Sequence, residues 1–349
     1  MKKRKINKSV LAVILALIVL LLAIVPIPYY IEVPGSAEKL NEFVTVGKQK
    51  DTQSGSFMLT TVGIKRATPL GALLAHFSSA QTLVSKEELM GSSSDATYLQ
   101  LQQYYMENSQ NTAIEMALKL ANKPYDLEYK GIYVMDIVKN SSFANKLTIG
   151  DTIYAIDGQT FKSSEEFMKY IQSKKIGDSV SIQFERNNKK QTATGKLIEL
   201  TANKVKKPGI GITLVDHTSI SSDSDVKIDA GSIGGPSAGL MFTLETYSIL
   251  TNQDLRNGQQ IAGTGTISSD GTVGRIGGID KKVIAADQAG AKIFFAPNDA
   301  ITAEEKKAYP TIKTNYEEAK AAAKKINTSM KIVPVKNVRD ALDYLKKAK

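Results

Sequence analysis

Gly235-Pro236-Ser237-Ala238-Gly239 is the stretch that most limits how this chain can fold. A serine set among glycine, proline and alanine reads as a glycine-rich turn. The run Leu240-Met241-Phe242-Thr243-Leu244-Glu245-Thr246-Tyr247 that follows reads as the helix this turn opens. Small flanking residues let a backbone approach closely, and a helix N-terminus offers unpaired N–H groups to an anion. A nucleophilic serine with an oxyanion hole needs both. The same five residues also make a plain helix start packed through small side chains, and by themselves they do not choose between the two readings.

The pentapeptide fits G-x-S-x-G, the nucleophile elbow of α/β-hydrolases. Chain order excludes that reading. An elbow serine takes its histidine from later in the chain, and the two histidines here, His76 and His217, both precede Ser237. The bases available downstream are lysines. Lys281-Lys282 follow a second glycine-rich stretch, Gly274-Arg275-Ile276-Gly277-Gly278-Ile279-Asp280. Composition removes other chemistries. There is no cysteine, so disulfides, thiolate metal sites and cysteine catalysis are out. No H-E-x-x-H occurs, and no metal site is expected. Gly47-Lys48 and Gly195-Lys196 are followed by Gln49 and Leu197, so neither is a Walker A loop, and no nucleotide or other cofactor is expected.

Three motifs stand in order: the pentapeptide, then Thr264-Gly265-Thr266-Ile267, then Gly277-Gly278-Ile279-Asp280-Lys281-Lys282. This series resembles the proteolytic domain of Lon (peptidase family S16), which uses a Ser–Lys dyad. The family pattern runs P-S-A-G, then T-G-E-I, then G-G-(apolar)-x-x-K-(apolar)-x-A-A. Its dyad lysine falls on Lys282, with Val283-Ile284-Ala285-Ala286 continuing the pattern. Ala291-Lys292-Ile293-Phe294-Phe295-Ala296-Pro297 is similar to the core strand that follows. The resemblance implies Ser237 as nucleophile and Lys282 as base. It implies backbone N–H groups around Ser237 and the preceding glycines, Gly235 among them, as oxyanion donors, and Thr264 as a hydrogen-bond partner of the lysine. Two positions depart: Gly234 and Thr266 stand where many Lon enzymes carry an acid. The likeness covers residues 205–349 and, more weakly, 40–125.

At 349 residues the length suggests about two domains. The net charge is +10; five of those charges, Lys2, Lys3, Arg4, Lys5 and Lys8, lie before an uninterrupted apolar run over residues 10–25. No acid occurs before Glu32. Apolar character continues to Ile31, with Tyr29 and Tyr30 as interfacial aromatics, enough to cross a bilayer of about 30 Å. The expectation is a cytoplasmic tail over residues 1–9, a transmembrane anchor over 10–30 and a catalytic domain outside the cell, with the lipid bilayer as a partner. A cleaved signal peptide competes, but Gly35-Ser36-Ala37, the small residues a peptidase needs, lie well past the run. No aromatic–basic platform supports nucleic-acid binding.

Between residues 126 and 200 the character changes. Lys130-Gly131-Ile132-Tyr133-Val134 begins a strand, and Thr152-Ile153-Tyr154-Ala155-Ile156 is another, ending in the turn Asp157-Gly158. A helix follows, capped by Ser163 or Ser164, with Glu165 and Glu166 in its first turn. Two alternating strands joined at Asn187-Asn188 close the unit. This order is similar to a PDZ domain. The likeness assigns the carboxylate-binding loop to Gly131, Ile132, Tyr133 and Val134, beside the helix over residues 166–171. PDZ domains capture peptides by strand addition.

The fold class expected is therefore α/β and α+β, multidomain: an N-terminal transmembrane helix and a Lon-type proteolytic domain (40–125 and 205–349) interrupted by a PDZ domain (126–200). The whole arrangement resembles the SepM-like, YlbL-type proteases of Gram-positive bacteria. That implies an ATP-independent, membrane-anchored serine endopeptidase acting on exported peptides or proteins, including trimming of a small signalling peptide. The alternative is a non-catalytic membrane-anchored PDZ scaffold. Substrate, cleavage site and oligomeric state are left open by the sequence.

Overall fold

The computed structural model describes residues 8–91, 93–202 and 205–347. Helix α1 (Lys8–Ile24) takes up 17 residues and buries none of them. At 1.5 Å per residue it is about 26 Å long. Pro26 and Pro28 cannot continue a helix, and Tyr29 already begins a strand. The anchor expected over 10–30 is thus a helix only to Ile24, and among the described residues no helix is long and apolar enough to cross a membrane. Most of the basic tail, residues 1–7, lies outside the described residues.

Strand β1 (Tyr29–Lys39) follows, and it takes in Tyr29 and Tyr30, which the sequence reads as interfacial aromatics of the anchor. It pairs antiparallel with β2 (Ser56–Arg66) and, over its first four residues, with β3 (Thr82–Ser85). The protease body therefore starts near residue 29 rather than 40. A short helix, Pro69–His76, separates β2 from β3, and the long helix α2 (Asp95–Leu120) follows. Ser94 caps α2 by accepting from Thr97 N.

The chain then leaves the body for a second sheet. Its elements are β4 (Asp126–Ile137), β5 (Thr152–Ile156), helix α3 (Ser164–Gln172), β6 (Ser179–Arg186) and β7 (Lys189–Lys196). A hairpin follows, β8 (Ile198–Ala202) with β9 (Val205–Gly209), and then β10 (Ile212–Ser221). The sheet order is β10-β4-β5-β6-β7. Asn187 and Asn188 both take positive φ, the two-residue turn that suits a twisted hairpin. Ser163 is the residue that caps α3. The PDZ-like unit does not stop at residue 200: β10 pairs with β4 from Ile212↔Ile137 to Ser221↔Asp126, so ten residues assigned to the protease complete this sheet instead.

After β10 the chain returns to the body. Helix α4 (Gly239–Thr251), strand β11 (Gln260–Gly263), helix α5 (Ile279–Gln288), strand β12 (Ile293–Pro297), helix α6 (Asn315–Lys325), strand β13 (Lys331–Val335) and helix α7 (Val338–Lys347) complete it. The body sheet runs β13-β12-β11-β2-β1-β3. Its four strands from β13 to β2 are parallel, and β1 and β3 add antiparallel. Side chains alternate between faces, as strand geometry demands. Phe57, Leu59, Ile261, Phe295 and Val333 join the core under α4. Met58, Ala262, Phe294 and Ala296 join the one under α5 and α6. Helices cover both faces, which is why β12 is an unbroken buried run.

Helix α2 joins the two units. Met106, Ala113 and Ala117 enter the body core. Tyr104, from the other side of the helix, stacks on Tyr133 of β4 with ring centroids 3.8 Å apart and donates its hydroxyl to Asp216 O at 2.9 Å. Asn111 Nδ2 donates to Thr218 O at 3.0 Å. Stripes spaced by three and four along one helix thus face two different domains.

Candidate active site

Ser237 sits just before α4, in the turn the pentapeptide predicts. Gly235 adopts φ +89, a left-handed conformation that glycine takes without strain. Its N–H donates to Gln102 O on α2 at 2.7 Å. A Cβ on Gly234 would stand 2.8 Å from Gln102 Cβ, so α2 lies too close for the acid that many Lon enzymes carry there.

The two adjacent lysines open α5 and part company, as successive helical residues must. Lys281 bonds Thr82 Oγ1 and lies 2.7 Å from Asp280 Oδ2. Lys282 Nζ is 2.9 Å from Ser237 Oγ and donates to Thr60 O at 2.6 Å. Only 4% of Lys282 is exposed. Burial pushes its ammonium down from 10.5 to about 7, because the charged form loses water and gains no carboxylate in return. A lysine that is neutral near pH 7 beside a serine hydroxyl can accept a proton.

Thr264 does not bond the lysine. Its Oγ1 donates to Ser237 O at 3.0 Å, and Gly265 N–H donates to the same oxygen at 2.8 Å. Gly235 N–H, bonded to Gln102, is not free for an oxyanion. Among the described residues the N–H groups of Ser237 and Ala238 meet no acceptor, and they are the donors taken for that role because they belong to the two peptide planes that flank Ser237. Three contributors escaped sequence reasoning: the Thr60 carbonyl, Gln102 and Ser109, whose Oγ donates to Pro236 O. Each acts from a distant segment, and a backbone carbonyl leaves no mark in the residue code. Around the pair lies a groove of about 650 Å³, with Leu59, Val62, Met106 and Ile233 among its apolar walls and Glu32 and Glu38 among its acids.

A second groove lies in the small sheet. Gly131, Ile132, Tyr133 and Val134 do not form it. They belong to β4, which pairs with β10 on one side and β5 on the other and so has no free edge for a peptide. Ile132 and Val134 are core residues. β10 is the edge strand beside α3. Between it and α3 is a pocket of about 110 Å³ walled by Phe167, Met168, Ile171, Ile210, Ile212 and Leu214. Pro208-Gly209-Ile210-Gly211 leads into it, with Gly211 at φ +82. The alternating run Gly209-Ile210-Gly211-Ile212 stands in the sequence, beyond the boundary drawn at 200.

Residues 199–347 match the Lon protease (S16) C-terminal proteolytic domain. This chain carries a Lon-type proteolytic domain. A PDZ domain matches residues 106–197, a span that begins inside α2 and ends before β10. A Lon protease of Syntrophus aciditrophicus is 31% identical over 156 residues, 44% of this chain and 17% of that protein. One of Fusobacterium nucleatum is 48% identical over 65 residues, 19% of this chain and 8% of that protein. The chain thus spans less than a fifth of these relatives' length. The PDZ domain of an SdrC-like protein from Listeria monocytogenes is 46% identical, covering 25% of this chain and 90% of that one, with a TM-score of 0.24. The Lon-type domain is of serine-endopeptidase type, and Ser237 and Lys282 are the pair it brings together.

Proposed function

We propose that this protein is an ATP-independent serine endopeptidase in which Ser237 is the nucleophile and Lys282 the general base. One observation carries the reading: a desolvated lysine 2.9 Å from a serine hydroxyl at the floor of an open groove. Ser237 Oγ attacks a peptide carbonyl while Lys282 takes the hydroxyl proton. The N–H groups of Ser237 and Ala238 receive the oxyanion. Lys282 then gives its proton to the leaving amine, and water, deprotonated by the now-neutral Lys282, releases the acyl group. Thr60 O keeps Lys282 Nζ turned to the serine. No phosphate loop occurs in these residues, which is the ground for independence from ATP.

The PDZ groove selects or holds substrate. Strand addition at β10 places an apolar side chain between Phe167, Ile171 and Leu214. Helix α1 attaches the protein to a lipid bilayer, with the catalytic domain outside the cell. Its apolar side chains are exposed, and Lys2, Lys3, Arg4, Lys5 and Lys8 favour the cytoplasmic side. The substrate is an exported peptide or protein; a small signalling peptide is the specific case tested first. Hydrolysis of such peptides by the purified chain, compared with Ser237→Ala, is the deciding experiment. Equal activity of the two ends the nucleophile assignment, and inactivity of both with intact PDZ binding favours the scaffold.

A further inference from the structure

A planar trans peptide points its C=O and its N–H in opposite directions. The chain has no cis bond among the described residues, so the rule applies around Ser237. The Ser237–Ala238 plane is held at its carbonyl by Thr264 and Gly265, which turns the Ala238 N–H away from them. The preceding plane, Pro236–Ser237, is held from elsewhere. Ser109 Oγ, on α2, donates to Pro236 O at 3.0 Å. That bond turns the Ser237 N–H away from α2, at residues that line the groove.

Ser109 is otherwise out of place. It lies mid-helix, where serine is neutral to unfavourable and usually bonds back to its own turn. Only 4% of it is exposed, and its neighbours on that stripe, Met106, Ala113 and Met116, are core residues. Its hydroxyl bonds across to the nucleophile turn instead of within α2. Gly239 permits the approach, since a Cβ there would stand 3.0 Å from Ser109 Oγ and 2.7 Å from Ile267 Cγ2.

We propose that Ser109 is a positioning residue for catalysis: by holding the Pro236 carbonyl it orients the Ser237 N–H as an oxyanion donor. The inference rests on the Ser–Lys reading. It also gives α2 a second duty, because the helix that aims this donor is the one that Tyr104 and Asn111 tie to the PDZ sheet.

The test uses the full chain with a fluorogenic peptide and a peptide boronate, whose tetrahedral adduct needs the oxyanion donors and whose ground-state analogue does not. Ser109→Ala removes only the hydroxyl and favours helix. Misaiming one of two donors should lower kcat by roughly 10- to 100-fold, less than the loss of a donor outright. KM should stay within about twofold, and boronate affinity should fall in step with kcat. The inflection of the pH–rate profile should not move, because Lys282 keeps its surroundings. Ser109→Cys, a near-isosteric and weaker donor, should fall between, and it carries the test if the alanine variant does not fold. Unchanged kcat, or lowered kcat with unchanged boronate affinity, overturns the proposal. If Ser237→Ala itself retains activity, the underlying reading fails and this one with it; if Ser237→Ala is dead while Ser109→Ala is fully active, only the role of Ser109 is lost.

Discussion

The groove at Ser237 and the groove of the PDZ sheet are assembled differently. The first draws its polar atoms from Thr60, Ser109, Ser237, Thr264 and Lys282; the lysine is 222 residues from the carbonyl it bonds and 45 from the serine. The second is walled mainly by one helix and the strand that packs against it, almost all apolar, in about 110 Å³ against about 650 Å³. Capturing a peptide needs a strand edge and a greasy pocket, which a small sheet and one helix supply. Chemistry needs a buried base, a hydroxyl and two N–H groups aimed at one point, and no short segment can hold these rigidly. Helix α2 touches both units, so the two grooves are coupled in position though not in chemistry.

The largest effects should come from the polar pair. Ser237→Ala and Lys282→Ala should each lower peptide hydrolysis by roughly 10³-fold or more, non-additively in the double variant. Lys281→Ala should lose little, because Lys281 faces Thr82 and Asp280. Steady-state kinetics on the purified variants checks this, and equal loss from both lysines would break the contrast drawn between them.

Acidity should act on the same groove and spare the other. With Lys282 titrating at about 7, kcat should rise through neutral pH and level off above it. Peptide binding to the apolar PDZ groove should stay flat over that range. The stability effect has the opposite origin. The unfolded lysine binds a proton up to about 10.5, whereas the folded one gives it up near 7, so the folded state pays a cost that is fully present below 7 and disappears as pH rises toward 10.5. Lys282→Met should therefore raise unfolding free energy by on the order of a few kcal/mol at pH 6, and the gain should shrink at pH 9. Denaturant titrations at both values read it; a gain independent of pH would mean that packing, not charge, is responsible.

Groove capture should show a smaller, more selective effect. Met168→Arg, which places a charge in the apolar pocket, should raise KM for a long substrate roughly 3- to 10-fold, about one methylene-sized unit of lost discrimination or a little more. A short peptide should be cut as before. Equal loss on both substrates would make the PDZ unit part of the catalytic framework. The smallest effect sits at the joint. Tyr104→Ala removes the stack on Tyr133 and should cost about 0.5–1.5 kcal/mol beyond the lost area. Amide exchange in β10 should quicken while kcat changes less than twofold. A large drop in kcat would show that the two grooves communicate more strongly than shared support requires.

Much of the molecule is legible from local pattern. The turn before α4, the cap at Ser163 and the Asn187-Asn188 hairpin depend on neighbours within about four residues, and the sequence states those neighbours directly. The order of the three motifs pointed to Ser237 and to Lys282 over Lys281 by likeness to a family, not by physics. Tertiary structure alone decided the rest. Tyr29–Lys39 shows no strand in the sequence, where Tyr29 and Tyr30 read as the end of an anchor, because its partners, β2 and β3, begin 17 residues or more beyond its end. The likeness to PDZ domains puts the groove at Gly131–Val134. Which strand has a free edge, however, depends on pairing across the sheet, and β10 closes that pairing from some 80 residues downstream. Thr264 was given to the lysine, but its hydroxyl reaches the Ser237 carbonyl. Edges, carbonyl partners and the desolvation that lowers Lys282 are properties of surfaces brought together over long range, and a linear code specifies them only through the folded chain.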